Sequence, residues 1–197
     1  VPMRFLSILA VSLLFTTAAE AHTGVGATSG LTSGLFHPLN GLDHVLAMVG
    51  VGLLGFLLGD KARWVVPAAF LSMMMVGGLF GQAGFNLPFV EVGIALSVVV
   101  IGAAVVFGSA LPLTLAVVLA GGFAVFHGFA HGAEMPATVS GLSYGLGFLA
   151  ATAFLHGAGI FLGYGIDRTA STYSLRLSRA GGALLGISGL LLLGGIL

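Results

Sequence analysis

The stretch "FHGFAHGAEMP", residues 126 to 136, sets His127, His131 and Glu134 at spacings of four and three in a chain where 6% of residues are charged. On a helix turning about 100° per residue, these side chains fall within about 60° of one another and line one face near the helix end. A second group lies in "HPLNGLDH", which holds His37, Asn40, Asp43 and His44, and Glu91 and His156 stand further along. Imidazole and carboxylate without thiolate suit divalent nickel, cobalt, zinc or copper, rather than Cu(I) or magnesium. The chain has no cysteine, which removes disulfides, thiol catalysis, iron–sulfur clusters and thiolate metal sites together.

The elements that position these groups must cross a membrane. Of 197 residues 58% are hydrophobic, and the formal net charge is zero; mean hydropathy is +1.16. Soluble domains carry about a quarter charged residues, so we read an all-α integral membrane protein. A neutral balance with no basic run gives no basis for a nucleic-acid partner. At the N-terminus, Arg4 precedes the apolar run Phe5 to Phe15 and the small-x-small pattern Ala19-Glu20-Ala21. That is the plan of a secretory signal peptide, with an apolar core too short to span a bilayer. Cleavage after Ala21 is expected, leaving His22 first, where its amine and imidazole would form a chelate.

After the polar segment 22–34, six apolar stretches follow, roughly 37–59, 64–81, 89–107, 112–133, 141–165 and 180–197, separated by breaks rich in proline or polar residues. A six-transmembrane helix bundle is expected. Pro38 suits a first helical position, which puts His37 at the start of the first helix and lets His37 and His44 share a face with Asn40 between them. Glu91 begins the third helix, and His156 lies inside the fifth.

A cleaved signal places the mature N-terminus outside. The inner loops then hold Lys61 and Arg63, and Arg168, Arg176 and Arg179, while the outer loops hold no Lys or Arg. That is the bias expected of cytoplasmic loops, and both termini of the mature chain fall on the periplasmic side. His37, Asp43, His44, Glu91, His127, His131 and Glu134 all come to the outer half of the membrane, with His156 deeper. Burying an acidic side chain at mid-membrane costs at least about 2.5–3.5 kcal/mol, so such groups need partners or a polar cavity. They exceed one octahedral shell, so some orient ligands or serve as successive stations, and Asp43 is placed to hold a neighbouring imidazole in one tautomer. The carboxylates at 43 and 91 also suit a helix's first turn on electrostatic grounds alone. Met73 to Met75 are consecutive and point in different directions, as packing residues do.

Glycine is abundant, 33 residues, and recurs as Gly55-x-x-x-Gly59, Gly128-x-x-x-Gly132 and Gly159-x-x-x-Gly163. Small residues at this spacing let helices approach closely in lipid. Such faces permit self-association without requiring it.

"HPLNGLDHVLAM" and "FHGFAHGAE" resemble the two signature motifs of the HupE/UreJ family of nickel/cobalt permeases, and the similarity extends over the whole chain. The resemblance implies uptake of Ni²⁺ or Co²⁺ across the bacterial inner membrane, with His37, Asp43, His44, His127, His131 and Glu134 as the transport residues. Glu91 lies outside both motifs. The metal is then substrate rather than a prosthetic group. A membrane metallohydrolase with Zn²⁺-activated water is the rival from another class, but H-E-x-x-H is absent and no Ser or Thr stands in a nucleophile motif, so an enzyme is not expected. A metal-sensing accessory subunit would hold metal tightly without flux. No Walker A motif suggests direct use of ATP.

Overall fold

The structure is a computed structural model that describes residues 30–135 and 140–197. The signal segment 1–21, its cleavage point and His22 lie outside the described residues. Among the described residues there are seven α-helices: α1 Gly30–Asn40, α2 Leu42–Leu58, α3 Ala62–Gln82, α4 Val90–Phe107, α5 Leu113–Ala133, α6 Gly141–Thr169 and α7 Ser174–Leu193. Short 3-10 turns at Gly108–Ala110 and Ser171–Tyr173 lead into α5 and α7. Five of the described helices are long and apolar enough to cross a membrane, and the pair α1 and α2 supplies a sixth span if counted as one bent unit. The chain is a multi-pass membrane protein.

That bent pair corrects the reading of the first helix. Helix α1 begins at Gly30, inside the segment expected to be a polar leader, and Pro38 falls near its end rather than at the start of a helix. A proline there removes one backbone hydrogen bond, and the chain breaks at Gly41, which is extended with φ −96° and ψ 118°. Helix α2 then leaves at 85° to α1. His37 and His44 therefore do not share a helix face. Two other boundaries also move: α6 continues to Thr169, so Asp167 and Arg168 are helical, and α7 starts at Ser174 rather than 180.

Helix α2 is the centre of the bundle, packing on α3, α4, α6 and α7. Its middle, Ala47 to Gly55, is buried almost all round, as a helix apolar on every side should be. Helices α3 and α5 make the most extensive pair. The reason is backbone contact: a Cβ on Gly128 would overlap the Met74 carbonyl, and one on Gly132 the Gly78 carbonyl. Gly159 meets the Val49 carbonyl in the same way, joining α6 to α2. Gly59 departs from this pattern. Nothing lies near its Cβ position, and its φ of +95° ends α2 in a turn that glycine adopts without strain.

The bundle has two chemically distinct ends. At one, Arg63 hydrogen-bonds the Tyr164 hydroxyl, pairs with Asp60 at 3.1 Å and lies over the Phe56 and Tyr164 rings. At the other, Tyr144 lies beside His37. Tyr144 and Tyr164 share α6 and are about 30 Å apart along it at about 1.5 Å per residue. That distance matches the hydrocarbon thickness of a bilayer.

Candidate metal-binding site

The break between α1 and α2 and the end of α5 converge at the Tyr144 end. His37 from α1 meets His131 from α5 edge to face, with ring centroids 4.6 Å apart. His44 from α2 packs on the same His131 ring at 4.3 Å and on His127 at 4.7 Å. The imidazoles thus form a line, His37, His131, His44, His127, which runs from the surface into the interior. The outer end is open and the rest is closed: the Glu134 and His37 side chains are 58% and 37% exposed, whereas His131, His44 and His127 are 4%, 7% and 0% exposed.

At the mouth, His37 Nε2 lies 3.4 Å from Glu134 Oε2. His37, His131 and Glu134 each offer a ligand atom, all within 4.8 Å of one another. Metal–ligand bonds of about 2.0–2.2 Å place neighbouring donors about 3–4 Å apart, so a small contraction brings these three onto one ion. The His37 imidazole beside Glu134 holds its carboxyl below the usual carboxylate range, against the opposing effect of partial burial. Glu134 is consequently an anion at neutral pH, at the exposed end of the line.

Deeper in, polar partners orient the rings. Asp43 Oδ1 accepts from His44 Nδ1 at 2.7 Å and from the His44 backbone N–H at 2.7 Å. With its proton on Nδ1, His44 keeps a bare Nε2, which is buried and has no hydrogen-bond partner among the described residues. A carboxylate behind an imidazole is the usual support of a metal-binding histidine. His127 Nε2 contacts Ser97 Oγ at 2.7 Å, and its Nδ1 is likewise buried and unpartnered. Both ring nitrogens of His131 are in the same state. Unpartnered buried nitrogens each cost about 1–3 kcal/mol, so a run of them marks a place built to bind something.

His156 is set apart from this line. It is 2% exposed, with neither ring nitrogen partnered among the described residues, and Phe70 stands between it and the rest, 5.6 Å from His127 and 5.1 Å from His156 between ring centroids. Glu91 sits in the first turn of α4, exposed and within electrostatic reach of Asp43, Glu134 and His44, without a hydrogen bond or ion pair to them. Asn40 ends α1 and is exposed. Six of the expected residues, His37, Asp43, His44, His127, His131 and Glu134, therefore come together, with Glu91 near their rim.

A family model described as HupE/UreJ protein matches residues 9–192 of the chain. The chain belongs to the HupE/UreJ family. Among relatives, it is 42% identical over 178 residues to Protein HupE of Rhizobium leguminosarum bv. viciae, covering 90% of this chain and 87% of that one. No solved structure matches it.

In this HupE/UreJ chain, four residues outside the histidine motifs shape the site and escaped the sequence reading. Ser97 holds His127. Phe70 separates the imidazole line from His156, Phe148 packs on His131 at 4.2 Å between centroids, and Tyr144 stacks on Phe148 beside His37. Ser97 carried a usable signal, since a lone hydroxyl in the apolar run "IALSVVVIG" must find a partner in a low-dielectric interior. Phe70, Tyr144 and Phe148 carried none, being aromatic residues in apolar helices like many others here.

Proposed function

We propose that this member of the HupE/UreJ family is a secondary permease that takes up Ni²⁺ or Co²⁺ across the bacterial inner membrane, with both termini of the mature chain on the periplasmic side. The observation that carries this reading is the graded line of imidazoles. It begins at a half-exposed carboxylate and imidazole and continues, ring against ring, to a fully buried histidine. A site that held a structural metal would be closed by one shell of ligands, whereas a line of partial sites suits an ion that exchanges one set of donors for the next.

Glu134 and His37 attract the hydrated ion and begin to replace its water. His131, in contact with both His37 and His44, transfers it inward, and Asp43 supplies negative charge behind His44. Imidazole nitrogens with their proton fixed on the far side are suited to borderline divalent cations such as Ni²⁺ and Co²⁺, while oxygen-seeking Mg²⁺ is poorly served. His156, beyond Phe70, is the inner station from which the ion leaves.

The test is accumulation of labelled Ni²⁺ and Co²⁺ in cells lacking their own uptake systems for these metals, comparing the wild type with His131→Ala and Glu134→Ala at equal membrane abundance. Accumulation that both substitutions abolish supports the permease. Metal held stoichiometrically by purified protein, with no accumulation in cells, refutes it and directs attention to a hydrolase or sensor.

A further inference from the structure

We infer that Ser97 is a positioning residue for the transported cation: it fixes the tautomer of His127 so that His127 Nδ1 is left as a bare ligand nitrogen beside the imidazole line. The consequence for transport rests on the permease reading; the tautomer does not. Ser97 and His127 are both fully buried, and they join α4 to α5 through one short contact. Ser97 Oγ lies 2.6 Å from the Ile94 carbonyl oxygen and 2.7 Å from His127 Nε2.

A hydroxyl has one proton and two lone pairs. The Ile94 carbonyl can only accept, and two oxygens facing each other at this distance without a proton between them would repel. The Ser97 proton therefore goes to Ile94, and Ser97 Oγ accepts from His127. His127 Nε2 must then carry the ring proton, and in a neutral imidazole Nδ1 is left as a lone pair. That nitrogen is buried and unpartnered among the described residues.

The neighbouring ring is set the opposite way. Asp43 fixes the His44 proton on Nδ1 and leaves Nε2 bare, and the two rings are 4.7 Å apart. Each is oriented by an acceptor behind it, a carboxylate in one case and a hydroxyl in the other. A proton on His127 Nδ1 would instead present a positive dipole to an arriving cation, at the deepest ring of the line. The ligand this arrangement fits is a divalent cation of borderline softness, taken in turn by His131, His44 and His127.

The experiment uses purified full-length protein, metal-free, with ¹⁵N-labelled histidine, and reads the ring nitrogens by NMR with His127 assigned through His127→Gln. The expected result is a neutral His127 protonated at Nε2, a mixture of tautomers in Ser97→Ala, and the wild-type pattern in Ser97→Thr. Titration with Ni²⁺ alone should show affinity about 10- to 100-fold weaker in Ser97→Ala, with recovery in Ser97→Thr. A wild-type His127 protonated at Nδ1 overturns the inference even if neither variant folds, and so does a Ser97→Ala protein with unchanged tautomer and affinity. A wild type with the expected tautomer that moves no metal in cells would instead remove the permease reading and leave the His127 assignment standing.

Discussion

The rings of His37 and His131, carried on helices almost a hundred residues apart in the chain, meet edge to face with centroids 4.6 Å apart. Glu134 closes the group at the surface, 3.4 Å from His37. His131 also touches His44, so one ring belongs both to the mouth and to the interior. This shared position explains why substitution of His131 is expected to abolish uptake rather than weaken it.

Asp43 acts through His44. Asp43→Asn keeps the side-chain shape and an accepting oxygen but loses the charge, and an orienting partner of this kind contributes about 10- to 100-fold to metal affinity. We expect Ni²⁺ affinity of the purified protein to fall within that range for Asp43→Asn and further for Asp43→Ala. Competition with a chromophoric chelator measures it, and an unchanged affinity in both variants would show that the contact to His44 is incidental.

Acidification should weaken metal binding. Metal and protons compete for ring nitrogens. Glu134, in contrast, has its carboxyl lowered by His37, so its contribution is present above the usual carboxylate range and is lost only as pH falls through that lowered value. Between neutral and mildly acid pH, the wild type and Glu134→Gln should therefore lose Ni²⁺ affinity with the same slope, offset by the missing charge. A flatter profile in Glu134→Gln would mean that the carboxylate takes up the proton in this range.

The α3–α5 contact leaves no room at Gly128. Gly128→Ala forces a Cβ against the Met74 carbonyl, and such overpacking costs roughly 1–3 kcal/mol. It also displaces the turn that carries His127 and His131. We expect lower thermal stability in detergent and lower Ni²⁺ affinity together. Gly122→Ala, on the same helix with nothing near its Cβ position, should be neutral or slightly stabilising because alanine favours the helix. Equal behaviour of the two variants would refute backbone contact as the basis of this pair.

Phe70 offers the ion no lone pair, but its ring is the polarisable surface between His127 and His156. Desolvated cation–π contacts contribute up to about 2 kcal/mol. Phe70→Leu keeps an apolar side chain there and removes that surface, so uptake rate should fall roughly tenfold, the equivalent of about 1.4 kcal/mol, while Ni²⁺ affinity at the mouth stays unchanged. Initial-rate uptake set beside equilibrium titration separates the two, and a parallel loss of affinity would place Phe70 in the binding site itself.

Much of this arrangement was legible from residue types and spacing. Low charge and long apolar runs require membrane helices, because the backbone must satisfy its own hydrogen bonds in lipid. The 127, 131 and 134 spacing places its side chains on one helix face by helical geometry alone. The first helix was misread for a specific reason: proline is favoured at helix starts, and nothing local distinguishes Pro38 at a start from Pro38 near an end. Along one continuous helix, His37 and His44 would stand about 10 Å apart. The bend at Gly41 brings both onto His131 instead.

By itself, then, the chain's sequence determined its environment, its helical class and the stock of donors, since these follow from composition and from periodicity within single helices. Tertiary structure decided which donors meet, because the 85° bend, the glycine contacts of α3 with α5, and the approach of α4 to His127 are relations between distant segments. The tautomers of His44 and His127 belong to that second kind. A neutral ring always has one bare nitrogen, but which one it is depends on what lies behind the ring to hold the proton, and the placing of Ser97 behind His127 is a property of the packed bundle.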